Sequence, residues 1–80
     1  MTYMSRRMAA YFRDKQSYEW RWLESGTDLQ KLERAALDMW MSRDGNENLV
    51  PVEVKVVNEV MDRNGKWIPA EVLFYKQVRR

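Results

Sequence analysis

VPVEVKVVNEVMDRNGKWIPAEVLFYKQV, residues 50–78, is the stretch on which the fold turns. Apolar and polar residues alternate on both sides of Asp62-Arg63-Asn64-Gly65-Lys66. Asn-Gly between alternating runs is the strongest short-range signal for a β-hairpin. Two registers compete. A two-residue Asn64-Gly65 loop sets Val54 and Val56 opposite Tyr75 and Leu73. A type I turn with Gly65 in the left-handed conformation, closing a G1 bulge, sets Val60 opposite Ile68, Val56 opposite Val72, Val54 opposite Phe74 and Val50 opposite Val78. The second register gathers Val50, Val52, Val54, Val56, Val60, Ile68, Ala70, Val72 and Phe74 on one face. A one-residue slip breaks that face, so the bulged turn is the expectation, with strands at about 50–61 and 67–78. Pro51 and Pro69 lack the N–H that a central strand donates, which points to an edge or a local break.

Upstream of the hairpin, residues 28–42 read as an amphipathic helix. Leu29, Leu32, Ala36, Met39 and Trp40 recur at helical spacing, and Leu37 and Met41 widen the face. Thr27 is the expected N-cap, with Gln30 completing a capping box, and Gly45 is the expected stop. Asp28 and Arg43 suit the two ends of the helix dipole. Ala35 and Ala36 allow a close approach to the sheet.

The N-terminal segment supports two readings. Tyr18-Glu19-Trp20-Arg21-Trp22 alternates and is built of β-forming aromatics, which argues for a strand at 17–24. Met4, Met8, Tyr11, Tyr18 and Trp22 fall on a helical stripe, and Arg13-Asp14-Lys15-Gln16-Ser17 holds no Gly, Asn or Pro to turn a hairpin. That argues for a helix at 5–24. The poor helix propensity of Tyr-Glu-Trp-Arg-Trp tips the balance to the strand. On both readings the fold is α+β in one small domain, 1–80: an antiparallel sheet built on the C-terminal hairpin, packed against one helix.

Composition narrows the function classes. The chain has 80 residues, 45% of them hydrophobic, and neither cysteine nor histidine. Disulfide scaffolds, Cys/His zinc sites and Cys or His nucleophiles are excluded. Asp44-Gly45-Asn46-Glu47-Asn48 groups oxygen ligands but falls far short of a calcium-loop spacing, and no Gly-rich phosphate loop is present. Asp44/Glu47 and Asp28/Glu33 are the nearest acidic pairs, and neither suggests catalysis. The expectation is a non-enzymatic protein without metal or cofactor. No run of 18 apolar residues and no signal-peptide stretch occurs, so the expected setting is cytoplasmic with no membrane partner.

The net charge of +2 hides a pattern. Residues 1–23 carry +3, residues 24–62 carry −5 and residues 63–80 carry +4. Arg6, Arg7, Arg13, Arg21, Lys66, Lys76, Arg79 and Arg80 lie among aromatics, a combination that suits phosphates and unpaired bases. If strand 17–24 lay beside the C-terminal strand, these basic sets would form one patch. A helix–turn–helix at 5–42 is a special case, weakened by Asp28, Glu33 and Asp38 on the would-be reader helix. The acidic middle also permits a mimic of a phosphate row.

The surplus of four Trp, four Tyr and six Met points more strongly to a protein partner. Trp, Tyr, Met and Arg are the residue types enriched at interfaces. Trp20, Arg21, Trp22, Trp67 and Tyr75 are the candidate contact residues. On a strand Trp20 and Trp22 share a face and Arg21 takes the other. The expected function is a small binding protein that occupies a surface of another protein. Such accessory or inhibitor proteins are of a kind that phage and mobile elements encode against host defences. The alternative is a nucleic-acid-binding module using the basic set above, and self-association is a further partner reading.

Overall fold

The computed structural model describes residues 5–14, 19–42 and 52–77. Among these lie β1 (Arg6–Asp14), β2 (Arg21–Gly26), α1 (Leu29–Ser42), β3 (Val52–Met61) and β4 (Trp67–Lys76). The four strands form one antiparallel sheet in the order β2-β1-β3-β4. Two hairpins therefore stand side by side, joined through their inner strands. The fold is α+β, with the helix on one face of the sheet.

The C-terminal hairpin begins as its sequence predicts. Gly65 has φ +80°, its N–H donates to the Asp62 carbonyl, and the Asp62 N–H donates to the Lys66 carbonyl. This is the type I turn with a bulge. Asp62 Oδ1 also accepts from the Asn64 and Lys66 N–H groups at 2.8 and 2.9 Å. Met61 faces Trp67, Val60 faces Ile68 and Glu59 faces Pro69.

Beyond these pairs the expected register fails. Irregularities between Asn58 and Glu59 and between Val56 and Val57 shift the pairing, so Val56 faces Phe74 and Val54 faces Lys76. Val56 does not face Val72, and Val54 does not face Phe74. Each shift leaves an extra residue on β4, beside or shortly after Pro69, where a ladder N–H is missing. Ala70 and Val72 are exposed beyond the first shift, while Val54, Val56 and Phe74 stay in the core. Pro69 sits on an edge strand, as its chemistry requires. The proposed Val50–Val78 pair, Pro51 and Gly45 lie outside the described residues.

The helix reading of 5–24 is overturned. Met8, Ala10 and Phe12 alternate with Arg7, Ala9, Tyr11 and Arg13 along β1, and the first set joins the core. Strand period, not the helical stripe, describes these residues. A strand in the second half of the segment is correct in kind but runs Arg21–Gly26 rather than 17–24. The helix–turn–helix falls with the helix. The link that turns the first hairpin includes residues 15–18, outside the described residues.

Helix α1 buries the face that its periodicity predicts. Leu32 and Ala36 are fully buried against Ala10, Val54 and Val56, with Leu29, Met39 and Trp40 packed around them. Two details differ. Asp28, not Thr27, caps the helix: its Oδ1 accepts from the Gln30 and Lys31 N–H groups at 3.0 and 3.4 Å. Met41 does not widen the buried face but is 57% exposed.

Candidate functional site

The helix covers one face of the sheet, and the other face carries the chemistry. On this open face β1 presents Arg7, Ala9, Tyr11 and Arg13, opposite Glu59, Val57, Lys55 and Glu53 of β3. Bases six residues apart on one strand thus meet acids six residues apart on its antiparallel neighbour. Arg7 Nε lies 2.8 Å from Glu59 Oε1, and Arg13 Nε lies 2.6 Å from Glu53 Oε1. The Tyr11 hydroxyl donates to Glu59 Oε2, and the Tyr75 hydroxyl donates to Glu53 Oε2.

Glu59 is only 2% exposed, and two groups meet its carboxylate: the Arg7 guanidinium and the Tyr11 hydroxyl. Burying a charge is tolerated when it is paired and hydrogen-bonded. Burial and the hydrogen bond to Glu59 push the Tyr11 hydroxyl above its ordinary pKa. Burial alone would raise Glu53, but hydrogen bonds from Arg13 and Tyr75 outweigh it and hold the carboxyl below its usual range. The bond to Glu53 also raises Tyr75.

Aromatic rings and cations stack over this network. The Arg7 guanidinium lies 4.4 Å from the Trp67 ring centroid, and Arg13 lies 4.4 Å from that of Trp20. Lys55 Nζ lies 4.1 Å from the Trp20 centroid and 5.8 Å from that of Tyr11. Such contacts favour the charged form of each cation. Against this, burial first and Arg13 second hold the Lys55 ammonium below its ordinary pKa. Between the rings lies a cavity of about 210 Å³, bounded by Trp20, Trp67 and Tyr11, with Val57, Pro69, Lys55 and Glu59 completing its lining.

Four of the five expected protein-contact residues gather here. Trp20 and Trp67 wall the cavity, Trp22 pairs with Tyr11 on β2, and Tyr75 pairs with Lys55 on β4. Trp22 is 56% exposed and Tyr75 45%. Arg21 instead pairs with Phe12, a residue of the helix-side core, and is exposed.

Among the described residues the basic set is dispersed. Strands β2 and β4 are opposite edges, so strand 17–24 does not lie beside the C-terminal strand and does not unite the two basic groups. Arg7 and Arg13 are ion-paired, Arg6 and Arg21 are exposed, and Lys66 is exposed at the hairpin tip. Lys76 lies 4.8 Å from the Trp40 ring on the helix side. Arg79 and Arg80 lie outside the described residues, as do the acidic loop residues Asp44 and Glu47.

Sequence reasoning missed Tyr11, Lys55, Val57, Glu59 and Pro69 as site residues. The matched spacing of Arg7/Arg13 and Glu53/Glu59 was the available signal, and it becomes visible only once β1 is taken as a strand. Among the described residues no three acidic side chains stand close enough to hold a metal ion. None of the described helices is long and apolar enough to cross a membrane. No family model, curated protein or solved structure matches the chain.

Proposed function

We propose that the protein is a non-enzymatic binding protein that acts by occupying a surface of another protein through the open face of its sheet. The observation that carries this is the clustering of Trp20, Trp22, Trp67 and Tyr75 on the face of the sheet opposite α1, which no helix covers among the described residues. Large aromatics with polar tips, set among ion pairs, are the usual anchors of interfaces. The role is stoichiometric, that of an accessory or inhibitor protein.

Photo-crosslinkers at Val72 and Trp22 on the open face, and at Glu33 on the helix, test it. The expected result is one protein adduct from the open-face positions and none from Glu33. Trp22→Ala is expected to weaken that complex by about 2 kcal/mol while leaving the thermal midpoint unchanged. Adducts from Glu33 alone would overturn the proposal. The nucleic-acid reading is the second and less supported one, because Arg7 and Arg13 are already neutralised by carboxylates.

A further inference from the structure

We infer that the cavity between Trp20 and Trp67 is an anchor subsite for one aromatic side chain of the partner that carries or adjoins a carboxylate, with the carboxylate meeting Lys55. This rests on the proposed function and names the chemistry of the occupant. Size comes first. At about 210 Å³ the cavity is smaller than the roughly 300–1,000 Å³ of sites that enclose a whole small molecule, and it suits a single ring. Its walls come next. Trp20, Trp67 and Tyr11 offer ring surfaces, and Val57 and Pro69 are apolar, so a flat ring gains offset or edge contacts on several sides.

Charge decides the rest. Of the three cations that β1 and β3 turn to this face, Arg7 and Arg13 are held by Glu59 and Glu53. Lys55 forms no ion pair among the described residues and rests over two rings. Rings attract an ammonium but do not replace a carboxylate as acceptor of its three N–H groups. Glu59 also lines the cavity, but its two oxygens are engaged by Arg7 and Tyr11, so it offers little to an incoming cation. The face thus presents one open positive charge beside one ring-sized slot. A nucleic-acid strand needs a series of open cations for successive phosphates, and this face does not supply it.

The test is an NMR titration of the ¹⁵N-labelled full chain, following the indole N–H signals of the four tryptophans. The probes are N-acetyltryptophan, its neutral amide, tryptamine and an oligothymidine. The expected result is a saturable shift of the Trp20 and Trp67 signals with the acid and none at Trp40. The amide is expected to bind about tenfold more weakly, the worth of one charge-assisted hydrogen bond. In Lys55→Met the acid is expected to fall to the level of the amide. The probe series on the unaltered chain decides the question even if that variant folds poorly.

Equal affinity for acid and amide, tighter binding of tryptamine, or shifts centred on Trp40 would each overturn the subsite. So would a response to oligothymidine alone, which would move the face to nucleic acid. Open-face crosslinking with no preference for the acid would remove the subsite and leave the proposed function standing. Crosslinking from the helix face alone would remove the function itself.

Discussion

Gly65 shows how much one residue decides. Its φ of +80° is the left-handed conformation that side chains resist, and nothing lies within 4 Å of where a Cβ would stand. Gly65→Ala is therefore expected to cost about 1 kcal/mol through the backbone alone. Gly26 also has open space around it but no positive φ, so Gly26→Ala is expected to be neutral or slightly stabilising. Urea denaturation of the pair checks both. Glu53 supplies a pH dependence. Its carboxyl titrates below its ordinary pKa of 4.5 in the folded chain. Below pH 4.5 the unfolded chain binds the proton first, so stability is full above that pH and falls as pH drops through the folded pKa. Glu53→Gln is expected to flatten this fall in denaturation curves taken across the acid range. Both residues are readable locally in part: Asn64-Gly65 announces its turn, whereas nothing near Glu53 in sequence announces Arg13, 40 residues away.

At the scale of elements, helix α1 owes its start to one side chain. Asp28→Ala removes an acceptor for two backbone N–H groups and is expected to cost about 1 kcal/mol, while Thr27→Ala is expected to change stability little. Thermal unfolding of the two variants separates the cap that the structure shows from the one that the sequence suggests. Both residues are good caps by type, and one position decides between them. The helix also explains an exposure. Fourteen residues of helix span about 21 Å, but ten residues of strand span about 33 Å, so the hairpin tip overhangs. Ile68, paired with Val60 on the helix side, is left 43% exposed there. Strand β4 is a poor template for further pairing, because Pro69 and two irregularities interrupt its edge.

The whole molecule arranges its charges by interleaving them. The basic N-terminal strand β1 lies against β3 from the acidic middle, so charges far apart in sequence cancel across the sheet. This bears directly on nucleic acid. Eight phosphate contacts would give a log–log salt slope of about −6 on single strands. With Arg7 and Arg13 paired and Arg6, Arg21, Lys66 and Lys76 dispersed, fluorescence anisotropy with labelled oligonucleotides is expected to show weak binding and a much shallower slope. A slope near that of eight contacts would favour the nucleic-acid reading instead. The sequence by itself determined the C-terminal hairpin, its bulged turn, the helix and the helix's buried face. Each of these is written in contacts a few residues long, where periodicity and turn chemistry act. Tertiary structure alone decided that β1 is a strand at the centre of the sheet, that β4 slips past β3, and that the aromatics share a face with two ion pairs. The place of β1 and its two ion pairs rests on partners 40 and 52 residues apart, in which each strand's preferences are satisfied only by its neighbour, while the slip of β4 is set across its own hairpin.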